Sequence, residues 1–237
     1  MINKTIVLTG ASDGIGKQIA LRLAKEDARL ILIARNQEGL QQTATEVANL
    51  TKSSVSIYPC DLRKNDEIHS TVDKIAKDHK SIDCLINDAG IWQKMDQLDN
   101  IPEKDIIDVI QTNMTGLILL TQQLLPAIRQ SDAGSIINVI SRSGYAAQEG
   151  QSVYTASKYG VKGFTEVLRQ DLKNSNVRVA GIFQGGTNTN MFKKAGESIP
   201  DAVYASFIPP EGIADVIAYM LNLPKNVWLP EVKIETK

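Results

Sequence analysis

The chain has 237 residues, 43% of them hydrophobic and 22% charged, an ordinary globular composition with length enough to bury a substantial core. Its formal net charge of −1 argues against a strongly basic nucleic-acid surface. No stretch approaches the roughly 18 consecutive apolar residues of a membrane span, and Met1-Ile2-Asn3-Lys4 lacks the charged start and apolar run of an export signal, so a cytoplasmic protein is expected.

In chain order, short apolar runs at Thr5–Thr9, Leu30–Ala34, Ser54–Tyr58, Cys84–Asn87, Ser135–Ile140 and Val177–Phe183 predict six strands. Val227–Val232 predicts a seventh. Between them, Ile15, Ile19, Leu23 and Ala24 keep helical spacing, and further helices are predicted over Pro102–Gln130, Gln151–Asn174 and Pro210–Leu223. Alternating strand and helix with right-handed crossovers builds an α/β fold: a doubly wound parallel sheet of about seven strands, helices on both faces. No linker, repeat or charge block divides it, so residues 1–237 read as one domain. The interval 184–209 breaks the rhythm with glycines, asparagines and lysines, and a connection that long predicts a substrate lid.

Cys60 and Cys84 sit in apolar stretches without metal-ligand spacing and read as buried thiols of a reducing compartment. His69 and His79 lie on a polar helical stretch without ligand companions, so no metal is expected.

The first strand runs into Gly10-Ala11-Ser12-Asp13-Gly14-Ile15-Gly16, where a helix opens at once. Glycines there permit a tight turn and let main-chain N–H groups approach a pyrophosphate, which also meets the positive end of the helix dipole. A dinucleotide is therefore expected. An acid at the end of the second strand would bond the ribose 2′-hydroxyl and a base would accept a 2′-phosphate. This strand ends Ile33-Ala34-Arg35-Asn36, so NADP(H) is favoured on Arg35, with NAD(H) left open.

Tyr154 and Lys158 stand four apart in a helical segment, which puts phenol and ammonium on one face. A free tyrosine titrates near pH ~10, and bringing it to neutrality costs roughly 4 kcal/mol. A cation about 4 Å away at an effective dielectric of ~20 supplies about that much. The pair is thus able to hand on a proton. Alone, it is common by chance.

The joint order carries more: the glycine turn, Asn87-Asp88-Ala89-Gly90 after strand four, Asn113 in the next helix, Ser141 after strand five, then Tyr154 and Lys158. In this order the chain resembles the short-chain dehydrogenase/reductase family over essentially its whole length, with the Rossmann-type fold that implies. By that resemblance Tyr154 is the acid/base, Lys158 lowers its pKa and holds the nicotinamide ribose, Ser141 positions the substrate oxygen, and Asn113 holds a water in the proton relay. Asp61 and Leu62 match the adenine-side pair, Asn87, Ala89 and Gly90 support the cofactor, and Gly185, Thr187 and Thr189 face the nicotinamide side. Three departures stand out. Asp88 replaces a usual asparagine, Gln184-Gly185-Gly186-Thr187 lacks a usual Pro-Gly and should loosen the first turn of the lid, and Asp13 sits where NADP-preferring relatives often carry a base.

The expected activity interconverts a carbonyl and a secondary alcohol on a small molecule. A non-catalytic dinucleotide sensor on the same fold is the rival of another class, and the short tail after Pro224 disfavours nucleotide-sugar epimerases. Substrates left open are a 3-oxoacyl thioester on an acyl carrier, a small ketone or aldehyde, and a hydroxy acid. Arg129, Arg142, Lys193 and Lys194 could form a basic mouth for an acidic carrier, while the tail lacks the glycine-rich ending of the family's acyl-carrier reductases and tips the reading toward a general carbonyl or hydroxy-acid enzyme. The apolar surface of 102–130 and 151–174 predicts a homodimer or homotetramer.

Overall fold

The computed structural model describes residues 4–236. Seven strands, β1 Thr5–Thr9, β2 Arg29–Ala34, β3 Val55–Pro59, β4 Cys84–Asn87, β5 Ser135–Val139, β6 Arg178–Gln184 and β7 Glu231–Ile234, form one sheet. All pairings are parallel and the spatial order is β3-β2-β1-β4-β5-β6-β7. The order reverses between β1 and β4, and at such a switch point the strand ends leave a crevice.

The connecting helices are α1 Gly14–Ala24, α2 Gln37–Ala48, α3 Asn65–Asp78, α4 Glu103–Ile110, α5 Gly116–Ile128, α6 Ser152–Asp171, the short α7 Met191–Lys194 and α8 Asp201–Ala205, and α9 Pro210–Leu221. Alternation along each strand divides the core. Ile6 and Leu8 of β1 face α1, α2 and α9 through Ile19, Leu23, Leu40 and Ile217, whereas Val7 faces α3, α5 and α6 through Ile75, Leu124 and Leu168. Each fully buried aliphatic side chain contributes roughly 1.5–3 kcal/mol, and a sheet apolar on both faces is stable only when covered on both.

Two predicted elements need correction. The helix expected over Pro102–Gln130 is interrupted at Gln111–Thr115 by a π turn, in which the Gly116 N–H donates to the Gln111 carbonyl five residues back. Such turns recur at functional sites, and this one holds Asn113. The seventh strand begins at Glu231, not Val227. Trp228 and Leu229 pack on the core instead, with the Trp228 indole N–H donating to the Val179 carbonyl at 3.1 Å and the Arg178 guanidinium 4.5 Å above its ring.

A buried polar chain crosses the sheet's centre. Asn87 donates to Thr121 (3.0 Å) and to Asn138 (2.9 Å), and Asn138 donates to Thr165 (2.8 Å), tying β4, β5, α5 and α6 together. Cys60 and Cys84 are buried thiols. Among the described residues no helix is long and apolar enough to cross a membrane and no His, Cys, Asp and Glu cluster could hold a metal.

Candidate active site

At the switch point the turn after β1 is held tightly. Gly10 has φ +73°, and a Cβ on Gly16 would lie 2.4 Å from the Gly10 carbonyl, so a side chain there would push the turn open. Asp13 caps α1, accepting the Gly14 N–H at 2.7 Å. Thr9, which sequence reasoning passed over, accepts the N–H groups of both Asp88 and Ala89 at 3.0 Å and so locks β1 to the loop after β4.

A cleft of about 970 Å³ opens here. Gly10, Ser12, Asp13, Gly14, Ile15, Arg35, Asp61, Leu62, Ala89, Gly90, Ser141, Tyr154, Lys158, Gly185, Thr187 and Thr189 all line it, so the sequence-predicted residues converge. Gly16, Asn87 and Asn113 stand behind that wall, buried. Arg35 is exposed at the end of β2, close enough to help hold Asp61 charged. Arg63, not foreseen, grips Asp61 at 2.6 Å and Asp108 at 2.8 Å, keeping the Asp61 carboxyl below the usual carboxylate range. A glycine turn at a helix N-terminus, an exposed arginine after β2 and no carboxylate there form a cradle that fits a 2′-phosphorylated dinucleotide.

The four predicted catalytic residues lie at the carboxyl ends of the strands. Ser141 follows β5 with φ 108°, a strained backbone for a residue with a Cβ, and its hydroxyl accepts the Ser143 N–H at 3.2 Å. Tyr154 and Lys158 are buried on α6, and the Lys158 ammonium sits 5.6 Å from the centre of the Tyr154 ring while donating to the Val139 carbonyl at 3.2 Å. The expected lowering of the phenol is not what this arrangement produces. Tyr154 is pushed up to about 12, chiefly by burial and further by the Asp88 charge, with Ser141 pulling the other way. Burial also lowers Lys158 to about 8, which Asp88 opposes. Asn113 is engaged by protein: it accepts the Ile91 N–H (2.8 Å) and donates to the Ile91 carbonyl (3.0 Å) and the Ser157 hydroxyl (3.2 Å).

Asp88, the departure noted in the sequence, lines the cleft beneath the glycine turn and accepts the Gly16 N–H. Burial lifts its carboxyl to about 7, against the pull of Lys158 and of that N–H.

The segment 185–209 covers the cleft's other side. Its base is stitched by Ile208 N–H to Gly186 (2.8 Å), Asn188 N–H to Ile208 (2.9 Å) and Gly185 N–H to Ile234 (2.8 Å), so main-chain bonds hold the turn that the missing proline was expected to loosen. Lys194 donates to Asp13, and Glu197 accepts the Met95 N–H at 2.8 Å. Trp92, Phe192 and Phe207 add an aromatic wall that no sequence spacing announced. The predicted basic mouth is only partly assembled. Arg142 and Lys194 line the cleft, each facing a carboxylate, whereas Arg129 caps the far end of α5 and its carbonyl accepts from Asn176, beside the strands' amino ends.

Comparison with known proteins agrees with this geometry. Residues 4–200 match the family model described as short chain dehydrogenase. The chain is 32% identical over 239 residues, covering 98% of this chain and 92% of the relative, to a Schizosaccharomyces pombe protein named NADP-dependent 3-hydroxy acid dehydrogenase. It is 33% identical over 226 residues, 94% of this chain and 93% of the other, to carbonyl reductase family member 4 of Xenopus laevis. Among solved structures, a short chain dehydrogenase from Shigella flexneri complexed with NADP superposes with a TM-score of 0.89 at 26% identity, covering 99% of this chain and 97% of that one.

Proposed function

Since the chain belongs to the short-chain dehydrogenase family of oxidoreductases, we propose that it interconverts a carbonyl and a secondary alcohol with NADP(H), Tyr154 moving the proton. The carrying observation is the buried phenol of Tyr154, which lines the cleft together with Ser141, Lys158 and the glycine turn. When bound, the nicotinamide gives or takes the hydride. The chain's residues do the rest. Ser141 steadies the substrate oxygen, and Tyr154, kept protonated by burial, is in the form that donates to a carbonyl as it is reduced. Lys158 holds the ribose, the turn Gly10–Gly16 the pyrophosphate, and Asp61 and Leu62 the adenine. Asn113 fixes Ile91, and with it the wall next to Tyr154.

NADP(H) is favoured over NAD(H) on Arg35 and the lack of an acid after β2. The names of the yeast relative and the Shigella complex support that choice. Segment 184–209 acts as the lid. Exposed Ile107, Tyr159 and Val167 on α4 and α6 support association into a homodimer or homotetramer, and light scattering at the 25.9 kDa of one chain would refute it.

The test is parallel titration with NADPH and NADH, followed by nicotinamide absorbance with ketones, aldehydes, hydroxy acids and 3-oxoacyl thioesters. Tighter NADPH binding with turnover is expected. Binding without turnover anywhere on the panel would favour a dinucleotide sensor, and binding of neither cofactor would overturn the reading.

A further inference from the structure

A run of aromatic rings leads away from Tyr154. Its ring centre lies 4.4 Å from that of Trp92, Trp92 lies 4.9 Å from Phe192, Phe192 lies 5.8 Å from Phe207, and Phe207 lies 5.4 Å from Tyr204. Trp92, Phe192 and Phe207 line the cleft, so one wall beside the reacting phenol is built of ring faces and edges. Trp92 is only 9% exposed, yet its indole N–H has no hydrogen-bond partner among the described residues. A buried donor left unpaired is costly, and an acceptor on a ligand in the cleft would satisfy it.

Two of the cations on this side of the cleft already face carboxylates. Lys194 is held by Asp13 at 2.7 Å, Arg142 faces Glu235 at 3.7 Å, and Lys94 lies beside Asp96. Glu197, which holds the Met95 N–H, adds a negative charge to the lining. A carboxylate or phosphate would meet the Glu197 anion here, while the lining cations Lys194 and Arg142 each already face a carboxylate.

Resting on the reductase reading above, we propose that the substrate is an uncharged ketone bearing an aryl or cyclic group next to the carbonyl, seated on the wall of Trp92, Phe192 and Phe207. Trp92 is the specificity-determining residue. Ring stacking geometry favours planar or cyclic groups over flexible chains, and one well-placed aromatic pair is worth about a tenfold preference. The acidic lining disfavours hydroxy acids, and the short distance from Tyr154 to Trp92 places the ring directly beside the carbonyl.

The chain has two tryptophans, Trp92 and Trp228, so the Trp228→Phe protein reports on Trp92 alone. That protein, loaded with NADP⁺ to prevent turnover, would be titrated with a phenyl ketone, a straight-chain ketone of equal carbon number and a 3-oxo acid while indole emission is followed. Steady-state kcat/KM with NADPH would be measured for the same carbonyl compounds and a 3-oxoacyl thioester in the wild type and in Trp92→Leu. Expected are quenching of Trp92 by the ring ketone, a preference of about tenfold or more for it over the chain ketone in the wild type, and a fall of that ring-to-chain ratio of kcat/KM toward one in Trp92→Leu. Equal use of ring and chain ketones, preference for the acid or thioester, or unchanged emission at saturation would overturn the proposal. Reduction of no carbonyl of any shape, with NADPH bound, would instead bring down the reductase reading, and this inference with it.

Discussion

Lys194 in the lid donates to Asp13 of the glycine-rich turn at 2.7 Å, across 181 residues of sequence. Both residues line the cleft, so the bond ties segment 184–209 to the glycine-rich turn across it. Burial pushes Asp13 up, but the Lys194 bond, the Gly14 N–H and the Lys194 charge outweigh it, so the carboxyl sits below its ordinary value. A group lowered in this way adds stability that is present above its unfolded pKa, roughly 3.9, and fades only as pH falls through the lower folded value. The latch is therefore intact throughout the neutral range. Both side chains are well exposed, so the pair is worth at most about 1 kcal/mol. Lys194→Ala should raise KM for cofactor or substrate by no more than about fivefold, and added salt should shrink the difference between wild type and variant. Steady-state kinetics at two ionic strengths checks both.

Tyr154→Phe removes the hydroxyl proposed to pass the proton while keeping the ring that packs on Trp92. Turnover should fall by about 10²–10⁴-fold, and NADPH affinity should stay within about twofold. A variant with near wild-type turnover would sink the assignment of Tyr154.

Asp88→Asn keeps the shape under the glycine turn and removes a buried ionisation. Because the carboxyl is raised to about 7 in the folded protein, it imposes no penalty below its unfolded pKa and an increasing one as pH rises through 7. The asparagine variant should melt higher than wild type at pH 8 and show a smaller gain at pH 5, which thermal scans at the two pH values would reveal. It also removes the negative charge that pulls Lys158 up and pushes Tyr154 up, so the pH profile of kcat/KM should move to lower pH.

Ser141 combines a hydroxyl proposed to steady the substrate oxygen with a positive φ that costs on the order of 1 kcal/mol. Ser141→Ala keeps the strain and loses the hydroxyl, whereas Ser141→Gly loses both. Both should lose most activity, yet the glycine variant should be the more stable by about 1 kcal/mol in urea denaturation, the reverse of the usual order.

Asn138→Ala breaks the buried chain between β4 and α6, leaving Thr165 without its donor and Asn87 without one acceptor. It should cost about 1–3 kcal/mol. The loss should be far from additive with Thr165→Val, since the two share one bond.

Strand positions were legible because a sheet covered on both faces leaves compact apolar runs, and β1 and β4 came out at the predicted boundaries. Val227-Trp228-Leu229 misled because an apolar run can also fold down onto the core, and Pro230, lacking an N–H, delays the ladder to Glu231. Hydrophobic spacing cannot show a π turn, although an asparagine amid an apolar helical run was its trace at Asn113. In the site, the convergence of Gly10, Gly14, Ser141, Tyr154 and Lys158 on one cleft was readable because the proposed chemistry asks for those residue types at set places along the chain. Trp92, Phe192 and Arg63 were not, because only the folded chain brings them to the cleft. The burial that raises Tyr154 was equally invisible, since spacing shows the neighbouring residues but not the desolvation.

The wide turn at Gln111–Thr115 restricts how this chain can drift. The wide turn takes up one residue more than regular winding would, so deleting one residue there restores regular winding with α5 still in phase with α4. Leu120 and Leu124 would keep their places on the sheet, while Asn113 would lose the wide turn that aims it at Ile91. Single-residue deletions in this stretch should therefore leave a folded protein whose wall at Ile91 has come loose, whereas the same deletion a few residues into α5 would turn its apolar face off the sheet.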